Sequence, residues 1–134
     1  MPTVLIFSKS ESFRSYVRTL LPEGGRAVEV QDDAACLEAL RLHPDAVVVL
    51  DVHSVKPACG CESLAFLMKM CEAGFDQTRV ILLTWFTPEF IFRHTRQNSY
   101  TNSRLLPRYD ERLYYFRRLP IPRSELQSLL QPLT

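Results

Sequence analysis

The chain lacks a long apolar run, and it carries almost no net charge. Its 134 residues include 16 Lys and Arg against 15 Asp and Glu, a formal net charge of +1, so no general affinity for polyanions is expected. No apolar stretch approaches the roughly 20 residues of a membrane span. The first apolar run reaches the polar residues 8–11 too soon for a signal peptide. We therefore expect a cytoplasmic protein that makes no contact with a membrane.

Several catalytic motifs are also missing. No glycine-rich phosphate loop follows the first apolar run, and no nucleophile elbow occurs, so a hydrolase or a reductase is not expected. Only four cysteines are present, and in the cytosol they are expected to remain reduced. The length is sufficient for one domain, residues 1–134, that buries a core without covalent links.

Short apolar runs alternate with amphipathic segments along most of the chain. Helices are predicted after Ser10 or Ser12, after Asp32 or Asp33, before Gly74 and from Pro122. Strands are predicted over five segments: 3–7, 27–30, 46–50, 79–84 and 113–116. This alternation predicts an α/β fold of (βα)5 type, a three-layer sandwich with a five-stranded parallel sheet.

The connection between the fourth and fifth strands is longer and less regular than the others. Residues 88–92 can open a helix, but residues 94–112 are polar and poorly periodic. We predict an irregular insertion over about 94–112 within the single domain, because a loop this long is usually functional or disordered.

Asp51 follows the apolar run 46–50. Such a run predicts a central parallel strand whose two faces are both covered by helices. Asp51 is therefore expected at the carboxyl end of a buried strand, where open α/β sheets place their chemistry. A carboxylate there is either a working group or a relic of one.

The order of these features resembles the receiver (CheY-like) domain of two-component response regulators, over nearly the whole chain. Asp51 matches the phosphoacceptor of that family, and Thr84 matches its hydroxyl residue after the fourth strand. Pro120 matches the proline after the fifth strand, and Phe116 the switch aromatic. The resemblance implies a flavodoxin-like fold and a role in bacterial signalling.

The chain departs from that family at the charged positions of the site. The resemblance implies two acidic residues after the first strand, which hold Mg²⁺, and a Lys before the proline. Here Ser8 and Lys9 replace the acids, and Leu119 replaces the Lys. Phosphoryl transfer depends on such charges, and Mg²⁺ prefers carboxylate ligands. We expect no cofactor, no metal and no catalysis, as in a degenerate pseudo-receiver; the alternative is an atypical response regulator phosphorylated on Asp51.

Two arrangements remain open for Lys9. Its ammonium group could pair with Asp51 and stand in for the missing metal. Alternatively, Lys9 points to solvent and Asp51 caps the following loop, since exposed ion pairs stabilise by only ~0–1 kcal/mol.

A protein partner is the interaction that the chain favours. In the receiver family the face formed by the fourth helix, the fifth strand and the fifth helix contacts partners, and it can also form a homodimer. Tyr and Arg are favoured at binding surfaces, although an unremarkable solvated loop is a comparable alternative. The candidate partner-binding residues on this face are Arg96, Tyr100, Arg104, Arg108, Tyr109, Tyr114 and Tyr115.

Three further interpretations are weaker. His53, Cys59 and Cys61 could ligate a metal, but Cys-x-Cys is not a standard spacing. Trp85 could cover the mouth of the Asp51 pocket or pack on the insertion. A nucleic acid could bind the arginines with their interleaved aromatics, but the balanced charge argues against this. Those arginines are Arg93, Arg96, Arg104, Arg108, Arg112, Arg117 and Arg118.

Overall fold

The computed structural model describes residues 3–52, 62–85 and 113–131. These ranges contain five strands and four helices. The strands are β1 (Val4–Phe7), β2 (Ala27–Val30), β3 (Val47–Asp51), β4 (Val80–Thr84) and β5 (Tyr114–Arg118). The helices are α1 (Glu11–Leu20), α2 (Asp33–Leu42), α3 (Glu62–Glu72) and α4 (Arg123–Leu129). None of these helices is long and apolar enough to span a membrane.

The strands form one parallel sheet in the order β2-β1-β3-β4-β5. This confirms the predicted α/β fold. The chain runs outward from β1 to β2 and then returns to β3 on the other side of β1, so the strand order reverses at β1. Ligand sites of open α/β sheets lie at the carboxyl ends of the strands beside such a reversal. Phe7 pairs with Leu50 there, which brings Ser8 and Asp51 next to each other.

Each face of the sheet carries its own apolar core, because successive side chains of a strand point to opposite faces. Leu5, Val48 and Leu50 face the core that α2 and α3 cover. Ile6 and Val49 face the core that α1 and α4 cover. Residues 47–50 are therefore all buried, which explains why this strand reads as an uninterrupted apolar run.

The structure decides the helix caps that the sequence left open. Ser10, and not Ser12, caps α1: its side chain accepts a hydrogen bond from the Phe13 backbone N–H at 3.3 Å. Asp32 caps α2 by accepting a hydrogen bond from Ala35 N–H at 2.7 Å. Both choices follow from geometry, since the N-cap side chain bonds the amide two or three residues later.

Several predicted boundaries shift by one or two residues. β5 continues through Arg117 and Arg118, because these residues pair in register with Leu83 and Thr84 of β4. Pro122 is the N-cap of α4 and lies just before the first turn. The predicted helix opening at 88–92 and the insertion at about 94–112 lie outside the residues that the structure describes.

Candidate functional site

Asp51 is the last residue of β3, and its carboxylate is held by a serine. The residue is only 8% exposed. The Ser8 hydroxyl donates a hydrogen bond of 2.7 Å to Asp51 Oδ2. Ser8 follows β1 directly, and its backbone N–H donates to the Val30 carbonyl of β2 at 3.1 Å. The sheet therefore fixes both partners of this contact.

The Ser8 hydroxyl makes two hydrogen bonds. It accepts a hydrogen bond of 2.9 Å from the Ser10 backbone N–H, while its own proton goes to Asp51. A hydroxyl has one proton to donate, so this arrangement assigns that proton to the carboxylate. Ser8 thus connects Asp51 to the first turn of α1.

Arg14 is a buried cation behind this connection. Its Nη1 donates to the Ser8 carbonyl oxygen at 2.7 Å, and its Nε lies 3.2 Å from Glu29 Oε1. Arg18 contacts the other oxygen of the same Glu29 carboxylate. Arg14 therefore ties the loop between β1 and α1 to the edge strand β2.

Our sequence interpretation missed Arg14. A signal for it exists: Arg14 and Arg18 lie four residues apart on one face of α1, and Glu29 interrupts the apolar strand β2. Residues four apart on a helix are neighbours, so a single carboxylate can contact both guanidinium groups.

Lys9 does not make the contact that one of our two interpretations assigned to it. Its side chain is exposed, and no ion pair between Lys9 and Asp51 occurs within the described ranges. The chain bends at Lys9, so while the Ser8 hydroxyl faces Asp51, the Lys9 side chain lies at the exposed rim of the pocket that both residues line. The predicted capping of the loop after Asp51 involves residues 53–61, which lie outside the description.

Thr84 and Leu119 meet at the neighbouring strand ends. Thr84 closes β4 and is fully buried. The Leu119 backbone N–H donates to the Thr84 carbonyl at 2.7 Å, and the Leu119–Pro120 peptide bond is cis. Leu119 lines the same pocket as Asp51 and contributes an apolar side chain to it.

A pocket of about 740 Å³ opens beside Asp51. Among the residues that the structure describes, Thr84 is not part of its lining. Trp85 does line the pocket and is 64% exposed; the alternative in which its ring packs on the insertion involves residues outside the described ranges. The lining residues are Ser8, Lys9, Ser10, Ser12, Phe13, Tyr16, Asp51, Trp85, Leu119 and Pro120.

This group of side chains does not fit a Mg²⁺ ion. It offers one carboxylate, whose Oδ2 already accepts a hydrogen bond from Ser8, together with neutral hydroxyls and one exposed ammonium group. Mg²⁺ is bound in proteins mainly by carboxylates and phosphates. No group of three or more His, Cys, Asp or Glu residues that could hold a metal is found in the described part of the chain.

Only some of the remaining candidate residues lie within the described ranges. Tyr115 is half-buried and packs against the core under α1 and α4. Arg117 Nε lies 2.9 Å from Glu125 Oε1, and Arg118 is exposed. Tyr114 and Phe116 belong to β5. The other candidates lie outside the described ranges: His53, Cys59, Cys61, Arg93, Arg96, Tyr100, Arg104, Arg108, Tyr109 and Arg112.

The two described cysteines, Cys36 and Cys71, are free thiols. Burial, and to a lesser degree the Asp33 carboxylate, raise the pKa of Cys36 from 9.0 to about 12. Cys36 belongs to the core under α2 and α3. A neutral buried thiol behaves as a small apolar side chain.

Comparison with solved structures identifies the fold. The chemotaxis protein CheY4 of Vibrio cholerae matches with a TM-score of 0.65 and 19% identity, over 98% of this chain and 97% of that chain. A response regulator from Thermotoga maritima matches with a TM-score of 0.64 and 17% identity, over 96% and 92%. A CheY-like receiver domain from Methanospirillum hungatei matches with a TM-score of 0.66 and 15% identity, over 96% and 90%.

No protein-family model matches the chain, and no curated protein matches it. The structural likeness therefore establishes the fold: this chain has the flavodoxin-like fold of response-regulator receiver domains.

Proposed function

We propose that this protein is a non-catalytic pseudo-receiver that acts in bacterial signalling by binding another protein. Its fold is that of receiver domains, and one observation carries the rest. Asp51, at the phosphoacceptor position, accepts a hydrogen bond from Ser8, a residue at the position of one of the family's metal-binding acids. The site is built around a serine–carboxylate contact.

The charges of the site support this proposal. A phosphoryl group arriving at Asp51 would bring negative charge to a carboxylate, and receivers compensate for this with Mg²⁺ and a Lys. Leu119, at the Lys position, has no charge to offer and is 7% exposed. Lys9 is the only cation in the lining of the pocket, as far as the structure describes it, and it is exposed at the mouth. Phosphorylation by the usual Mg²⁺-dependent route is therefore not expected.

The contacts around Ser8 support a role that does not depend on phosphorylation. Ser8 bonds β2, Asp51 of β3 and the first turn of α1, and Arg14 holds its carbonyl oxygen. These contacts keep the loop between β1 and α1 in one arrangement without a bound ion. We propose that the domain presents one constant surface to its partner.

The proposed partner surface includes β5, α4 and the connection that precedes β5. Arg117 and Glu125 form an ion pair between β5 and α4, and Arg118 is exposed beside them. A homodimer through the same face is a variant of this proposal. Nucleic-acid binding is less favoured, because Arg117 is already paired and the net charge is only +1.

Intact-mass spectrometry tests the loss of phosphorylation. The protein is incubated with acetyl phosphate and Mg²⁺, beside a response-regulator receiver domain that retains its acidic pair and Lys. We expect the control domain to gain one phosphoryl mass and this protein to remain unchanged. A gain in this protein that disappears in Asp51→Asn would overturn the proposal.

The second candidate is an atypical phosphoacceptor. It is favoured by one observation: Asp51 lines a pocket that also contains exposed residues, so a small phosphodonor could reach the carboxylate. The same experiment decides between the two functions, since the atypical phosphoacceptor requires a mass gain that depends on Asp51.

A further inference from the structure

The pocket beside Asp51 has the size and lining of a small-molecule site. Its volume of about 740 Å³ falls within the range of roughly 300–1,000 Å³ that ligand pockets occupy. Phe13, Tyr16 and Trp85 contribute aromatic rings, and Leu119 and Pro120 contribute aliphatic groups. Ligand sites combine such walls with a few polar groups, and here these are hydroxyls, one carboxylate and one ammonium group.

Trp85 is the most unusual part of this lining. It is 64% exposed, and only Leu42 shares such exposure among the large apolar side chains of the described ranges. Leu42 is not among the residues that line the pocket, whereas Trp85 is. A flat molecule stacked on the indole would bury apolar area that now contacts water, which favours binding.

The polar groups indicate the charge of the molecule. The Asp51 carboxylate is already bonded by Ser8 and would repel a second negative group beside it. Lys9 is exposed and forms no ion pair within the described ranges, so its charge is available at the mouth.

From these observations we infer that the pocket binds a small aromatic carboxylate. Its ring packs among Trp85, Phe13 and Tyr16, and its carboxylate points away from Asp51 toward Lys9. This ligand binding goes beyond the proposed role in protein–protein contact. It requires neither phosphorylation nor a partner, so the phosphodonor experiment and the binding experiment can fail independently.

Fluorescence titration tests the inference on the full chain. The protein contains one Trp, so emission excited at the red edge of tryptophan absorption reports on Trp85 alone. The probe is hydrocinnamate, which combines one phenyl ring with one carboxylate. We expect saturable quenching. Hydrocinnamamide lacks the charge and acetate lacks the ring, so both should bind more weakly.

Paired variants locate the site. Lys9→Gln should weaken hydrocinnamate about two- to fivefold, the effect of losing one exposed ion pair. Arg26→Gln removes an exposed cation outside the pocket lining and should leave the affinity unchanged. Trp85→Leu, measured by calorimetry because the fluorophore is lost, should weaken binding about two- to tenfold.

These changes are at exposed positions, and circular dichroism verifies that each variant is folded. The inference is overturned if quenching does not saturate, or if the amide binds as tightly as the carboxylate. It is also overturned if Lys9→Gln and Arg26→Gln have equal effects.

Discussion

The hydrogen bond between Ser8 and Asp51 should contribute measurably to stability. Both residues are buried, with 3% and 8% exposure, so water cannot readily replace the lost donor in Ser8→Ala. A hydrogen bond to a charged group contributes about 1.5–3 kcal/mol. The substitution also removes the acceptor of the Ser10 backbone N–H, but Ser10 is exposed and water can take over that role.

The expected loss for Ser8→Ala is about 2–3 kcal/mol in the free energy of unfolding. Asp51 retains at least one further interaction, so a larger loss is not expected. For a chain of this length the loss corresponds to a decrease of roughly 6–12 °C in Tm. Urea denaturation monitored by circular dichroism gives the free energy, and an unchanged m-value verifies that the native and unfolded states remain comparable.

Ser12→Ala is the matched control. Ser12 lines the same pocket and is exposed, so its loss should change stability by less than about 0.5 kcal/mol. A cycle with Asp51→Asn isolates the pair, because the amide oxygen still accepts but without charge; the coupling should be about 1 kcal/mol. Equal effects of Ser8→Ala and Ser12→Ala would refute the reasoning.

Two further predictions concern other buried groups. Glu29→Gln should lower stability by about 1–2 kcal/mol in urea denaturation, because Arg14 keeps its charge at 9% side-chain exposure without a carboxylate partner. Glu38→Gln, in an exposed pair with Arg41, should cost less than about 0.5 kcal/mol; equal losses would contradict the importance of Arg14. The pKa of the Cys36 thiol is raised from 9.0 to about 12 in the folded protein. Burial of the neutral thiol therefore stabilises the fold fully below pH 9, and this contribution to the free energy of unfolding declines as the pH rises toward 12. Cys36→Ala should remove that part of the pH dependence, at most ~1.4 kcal/mol per pH unit, and peptide mapping after iodoacetamide treatment should find Cys36 modified only in the unfolded protein. Rapid modification of Cys36 in the native state would contradict this.

The secondary structure could be predicted because its causes are local. The strand 46–50 is visible as an apolar run, since both faces of a central parallel strand must be covered. Ser10 and Asp32 were each one of two cap candidates, and the choice between the two depends on backbone angles that composition does not encode. β5 extends two residues further than predicted, because pairing with β4 continues through Arg118 regardless of side-chain polarity.

The site could be predicted only in part. The sequence placed Ser8, Lys9, Asp51 and Leu119 at one end of the sheet, and all four line one pocket. It did not show which of Ser8 and Lys9 faces Asp51. The chain bends at Lys9 just after β1, so the direction in which the chain leaves β1 decides that contact.

The sequence alone determined the alternation of strands and helices, the carboxylate after the third strand, and the presence of Ser8, Lys9 and Leu119 near the strand ends around it. These are properties of residue type and order, and apolar periodicity translates them directly into elements. Tertiary structure alone decided that Ser8 bonds Asp51, that Arg14 is buried against Glu29, and that Trp85 lies exposed at the pocket. The first two contacts join residues far apart in the chain: the pairing of β1 with β3 brings Ser8 to Asp51, and the packing of α1 beside β2 brings Arg14 to Glu29.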